Sequence, residues 1–141
     1  MMKMSKLLAL GVLGLAAMAG SASAHHSFAM FDSRKVVTLS GTVKEFQWTN
    51  PHIWIELQVP TNGRQVQWSI EGGAISMLRR QGWNRESFKQ GDRVTVTINP
   101  LKSGDTGGSF VFAQFPNGRT LGRPPGDGGG FMGGRGATPV R

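Results

Sequence analysis

Two alternating runs that face each other across an Asn-Gly dipeptide constrain this chain most. From His52 to Val59, the residues Ile53, Ile55, Leu57 and Val59 fall on one side, and His52, Trp54, Glu56 and Gln58 fall on the other. From Arg64 to Ile70 the pattern returns, with Val66, Trp68 and Ile70 on the apolar side. A period of two is that of a strand with one buried face. Asn62-Gly63 suits the positive φ angles of a two-residue hairpin turn. A lone hairpin is at best marginally stable in water, so further strands must cover its apolar face.

The flanking sequence supplies them. Val36 to Trp48 is rich in β-branched and aromatic residues, and Gly41 within it marks a bulge or sharp bend. Thr49-Asn50-Pro51 breaks the run. After Gly72-Gly73 the period lengthens. Ile75, Met77 and Leu78 within residues 74–81 suit a short helix ended by Gly82, and Asn84 can cap one more turn through Phe88. Gly91-Asp92 turns into Arg93 to Asn99, with Val94, Val96 and Ile98 inward. Ser109 to Phe115 is the fifth strand, closed by Pro116-Asn117-Gly118. Three strands, a helix and two strands, the first strand bent, describe an all-β fold with one short helix: a five-stranded OB-like barrel. Such barrels bind ligands on the face of strands 2 and 3 and on the loops joining strands 1–2 and 4–5. A β-sandwich is the rival, but it usually needs about seven strands. The expected core is Val43, Ile53, Ile55, Leu57, Trp68, Ile70, Leu78, Val94, Val96 and Ile98.

The ends read differently. Lys3 and Lys6 precede an apolar run from Leu7 to Ala19, and Ala22-Ser23-Ala24 follows. This is the layout of a cleavable secretory signal over residues 1–24, with His25 as the first mature residue. The apolar run is shorter than the roughly 20 residues a spanning helix needs. The mature segment then carries 14 Lys and Arg against 8 Asp and Glu. A mildly basic exported protein suits anionic partners such as lipid head groups or polysaccharide. Exported proteins can form disulfides, but this chain has no cysteine. Residues 25–121 make the barrel domain with its N-terminal arm. Residues 122–141 hold eight glycines and three prolines, a composition that cannot offset its ordering entropy and is expected to form a disordered tail.

The mature protein has three histidines: His25, His26 and His52. Cleavage after Ala24 frees the α-amine of His25, which can chelate one metal together with its own imidazole, while His26 or His52 adds another. Such nitrogen donors suit Cu(II), in an arrangement that looks like a histidine brace. Met30 offers a thioether for Cu(I). The plain alternative is a His-His terminus that binds copper adventitiously beside a surface histidine. Trp54 alternates outward next to His52 and can stack on a sugar or a protein partner. A second reading is therefore a non-metal module that binds an anionic glycan or a protein through Trp54 and basic residues such as Arg79, Arg80 and Arg85. Glu71, just before the helix, suits its N-terminus, where negative charge is favoured, and a functional carboxylate is the alternative. No nucleophile arrangement, carboxylate pair or phosphate loop is present, so no enzyme is expected. Export argues against nucleic acid as the partner.

Together, His25-His26-Ser27-Phe28, Gly41-Thr42-Val43-Lys44-Glu45-Phe46, Thr49-Asn50-Pro51-His52, Trp68-Ser69-Ile70-Glu71-Gly72 and Gly91-Asp92-Arg93-Val94-Thr95-Val96 resemble a family of small exported bacterial proteins catalogued as a domain of unknown function. The likeness runs from about His25 to Leu121. It implies a periplasmic location in a Gram-negative bacterium and an OB-like barrel, and it supplies no activity. The three histidines match the family pattern.

Overall fold

The computed structural model describes residues 28–126. The expected signal segment, His25, His26 and the part of the expected tail beyond residue 126 lie outside the described residues. The chain divides into two units, residues 1–30 and 31–141. Of the first, residues 28–30 are described, as a helical end running into a turn.

The second unit is built around the expected hairpin. β2 (Trp54–Thr61) and β3 (Arg64–Glu71) pair without a break from Thr61 opposite Arg64 to Trp54 opposite Glu71. Asn62 and Gly63 hold φ angles of 50° and 76° at the turn. Ile53, Ile55 and Leu57 are wholly buried, each contributing roughly 1.5–3 kcal/mol of hydrophobic stabilisation. β1 (Val37–Gln47) pairs with β4 (Arg93–Pro100) through its first half and with β2 through its second. Thr42 belongs to both ladders, opposite Arg93 and Gln58, so the strand changes partners next to Gly41. The bulge is not at Gly41. It lies between Val43 and Glu45, after the change of partner.

β5 (Gly107–Gln114) pairs antiparallel with β4. Its first three residues also pair parallel with Ser69–Glu71 of β3. That contact closes the barrel in the order β1-β2-β3-β5-β4. The backbones meet tightly here. A Cβ on Gly108 would lie 2.6 Å from the Asn99 carbonyl oxygen and 2.6 Å from Ile98 Cδ1, so only glycine fits. A sixth short strand, β6 (Thr120–Gly122), adds to β5 over residues 112–114, on the edge that β3 leaves open. Gly122 therefore belongs to a strand, not to the tail expected to begin there.

α1 (Ile75–Arg80) follows β3, with Leu78 as its buried residue. Its N-cap is Ala74, which makes no side-chain cap. Trp83, Phe88, Phe110 and Phe115 form an aromatic cluster in the core. Ring centroids lie 5.1 Å apart for Trp83–Phe110, 5.8 Å for Trp83–Phe88 and 5.3 Å for Phe88–Phe115. The expected core is buried except for Trp68, which is half-buried against it. Trp68 stands opposite Leu57 on the inner side, but β5 covers β3 only from Ser69 onward. The arm is tied down from Phe31, which is buried and bridges to Leu101. The Asp32 amide donates to the Pro100 carbonyl at 2.8 Å. Among the described residues no helix is long and apolar enough to cross a membrane.

Candidate functional site

The hairpin register decides what the outer face of β2 and β3 carries. Trp54, Glu56 and Gln58 stand opposite Glu71, Ser69 and Gln67. The pairing continues past the strand ends, where the Gly72 amide donates to the Ile53 carbonyl at 2.9 Å and the Ile53 amide to that of Gly73 at 3.2 Å. A Cβ on Gly72 would come within 2.5 Å of Ile53 Cδ1. Glycine there lets the strand close onto Ile53 and brings Glu71 up to His52.

His52 Nδ1 lies 2.5 Å from Glu71 Oε1. The carboxylate accepts the Nδ1 proton, so in the neutral ring the lone pair is on Nε2. The Glu71 side chain is 5% exposed and that of His52 is 21% exposed. The carboxylate is thus a buried group holding a histidine at the rim, after the loop that carries the cis Asn50-Pro51 bond. The expectation that Glu71 caps the helix gives way to its alternative as a site carboxylate, because the helix starts from its N-cap Ala74 with no side-chain cap and Glu71 pairs with His52.

A polar network lies beside this pair. Ser69 Oγ donates to Glu56 Oε2 at 2.7 Å, and Gln67 Nε2 donates to the same oxygen at 2.8 Å. Lys44 Nζ donates to Gln67 Oε1 at 2.7 Å. Trp54 sits between Glu56 and His52 on the strand, half-buried. The structure thus brings His52 and Trp54 to one face, as the alternation requires, and adds Glu71, Glu56, Ser69, Gln67 and Lys44. Counting outward from Asn62-Gly63 gives that register and would have placed Glu71 opposite Trp54. Arg79, Arg80 and Arg85 are exposed, on and after α1. Among the described residues no group of three His, Asp or Glu side chains is placed to hold a metal.

A second concavity lies on the outer face of β1 and β4. It is an open groove of about 740 Å³ lined by residues that include Ser40, Thr42, Arg93, Thr95 and Gln114. Nothing in the sequence patterning marked it, because its floor is made of small outward residues of two strands distant in sequence.

The chain belongs to the family of unknown function DUF6152, whose sequence model matches residues 12–110. No curated protein and no solved structure matches it.

Proposed function

We propose that this member of DUF6152 is an exported binding module of the bacterial periplasm that takes up one Cu(II) ion. His52 is its ligand from the barrel, the processed N-terminus supplies the amine and imidazole of His25, and His26 is the alternative imidazole. One observation carries the reading: the buried Glu71 carboxylate holds His52 by Nδ1. Metal-binding histidines almost always donate their second ring N–H to a carboxylate, carbonyl or water, which fixes the tautomer and raises ligand basicity. A histidine serving only as polar surface does not need a buried carboxylate behind it. The donor set of an amine and imidazoles matches the preference of Cu(II) for nitrogen.

Mass spectrometry of the exported protein tests the first step, with His25 expected as residue one. Calorimetric titration of that protein with Cu(II) tests the second. One ion should bind, His52→Ala should weaken it about tenfold or more, and one residue added before His25 should weaken it further. Equal affinity in all three proteins would reduce the copper to adventitious binding. Binding through Trp54 has less support for an anionic ligand, because Glu56 and Glu71 flank that ring while Lys44 is engaged with Gln67.

A further inference from the structure

We infer that the free edge of β3 pairs with the same edge of a second copy of this chain, joining two barrels through one antiparallel sheet. The barrel covers β3 over part of its length. β5 pairs with Ser69–Glu71, and the rest of the β5 edge takes β6. Among the described residues no strand pairs with the outer edge of β3 before Ser69.

The backbone shows which groups that edge offers. In an antiparallel ladder opposite residues exchange both hydrogen bonds or neither, in alternation. Gln65 stands opposite Pro60, which has no N–H to give. Gln65 is therefore in a non-bonded pair, and its N–H and C=O point away from β2. Gln67 follows the same alternation. So does Ser69, whose amide donates outward to the Thr106 carbonyl at 3.2 Å. Gln65 and Gln67 are exposed, and the Gln67 side chain is drawn over the sheet by Lys44 and Glu56, clear of its own backbone. Open edges are commonly guarded by proline, charge or a bulge. Residues 65–68 are Gln-Val-Gln-Trp, and their ladder with β2 has no bulge.

The edge is complementary to itself. Outward residues must meet outward residues. A two-fold axis at Val66 sets Gln65 against the partner's Gln67 and Gln67 against the partner's Gln65, so every free group of both residues is used. A register centred on Gln65 runs into the turn at Gly63, and one centred on Gln67 meets Ser69, already bonded to Thr106.

The side chains agree with that register. Val66 and Trp68 lie on the inner side, half-buried because β5 stops short of them. The two-fold brings Val66 against the partner's Val66 and Trp68 against the partner's Arg64. Arg64 is exposed and in no ion pair among the described residues. A guanidinium on an indole face is a favourable cation–π pair, made twice by symmetry, while the two arginines stay apart. An unrelated extended peptide would take the ladder without supplying the cation for Trp68. One short strand from each copy buries less than the roughly 1,200 Å² of stable complexes, so the dimer is weak, with a Kd on the order of 0.1 mM.

The test is sedimentation and amide hydrogen exchange of the metal-free processed chain between about 10 μM and 1 mM, a range that brackets the expected Kd. Dimer should accumulate with concentration, and the amides of Gln65 and Gln67 should gain protection while those of Val66 and Trp68, already bonded to β2, do not change. Gln65→Pro removes an N–H that no β2 carbonyl uses, a position where an edge strand accepts proline. It should weaken the dimer about a hundredfold and keep the monomer spectrum. Arg64→Glu should weaken it about fivefold to thirtyfold. His52→Ala should leave it unchanged, which separates this surface from the copper reading. A monomer at 1 mM would overturn the inference, as would a dimer of unchanged Kd in both Gln65→Pro and Arg64→Glu, or protection gained at another edge.

Discussion

Replacing His52 with alanine in the metal-free protein removes one partner of a buried carboxylate. Glu71 is 5% exposed at its side chain and His52 is 21% exposed. A hydrogen bond to a charged group contributes about 1.5–3 kcal/mol. Water can enter where the rim histidine stood and recover part of that, so His52→Ala is expected to cost about 2 kcal/mol. For a domain of roughly 100 residues this lowers Tm by about 10 °C. Glu71→Gln keeps the shape and an acceptor oxygen but loses the charge. Charge-assisted hydrogen bonds are about twice as strong as neutral ones, so the expected cost is about 1 kcal/mol. The double variant should cost less than the sum, with a coupling of about 1 kcal/mol in a urea-unfolding cycle at neutral pH. A coupling under about 0.3 kcal/mol, within the scatter for independent sites, would mean that Glu71 does not orient His52. The case for a prepared ligand would then fail.

Other expectations test the frame. Phe88→Ala should cost about 3–5 kcal/mol, because Phe88 is 2% exposed and touches the rings of Phe46, Trp83, Phe110 and Phe115; loss of the folded amide spectrum or a large drop in urea midpoint would show it. Gly108→Ala should cost about 1–3 kcal/mol as overpacking and preferentially expose the amides of Ser69–Glu71 to hydrogen exchange, since it pushes β5 from its neighbours at the closure. The amide and guanidinium of Arg34 hold the Asp32 carboxyl below its ordinary value of 3.8. Its carbon-detected NMR titration should therefore have a midpoint under 3.8, and its small stabilising effect should be present above that value and lost as pH falls through the midpoint.

The readable and unreadable parts of this fold separate by mechanism. Ile53, Ile55 and Leu57 alternate strictly because one face of β2 is buried and the other is not, and that contrast is written directly into the residues. β5 lacks it. Gly107 to Val111 is buried throughout, so the strand has no period, and Gly107-Gly108 reads as loop although those glycines make the barrel closure. Which strand ends meet at that closure is set by the curvature of β1, and no residue pattern records it. Trp68 misleads in the opposite sense, since its apolar side is inner but β5 stops short of covering it. At the site, His52 and Trp54 follow from alternation alone. Glu71 required the hairpin count, and the groove required β1 and β4 to lie side by side, which only the closed barrel shows.

Pulsed EPR on Cu(II)-loaded protein that begins at His25 tests the central claim most directly, because it counts the imidazoles on the metal through their remote nitrogens. Two inequivalent imidazoles are expected, one of them lost in His52→Ala, with its remote-nitrogen coupling altered in Glu71→Gln as the hydrogen bond to Nδ1 weakens. A spectrum identical in wild type, His52→Ala and Glu71→Gln would place the copper on the N-terminal histidines alone and contradict a site that includes the barrel.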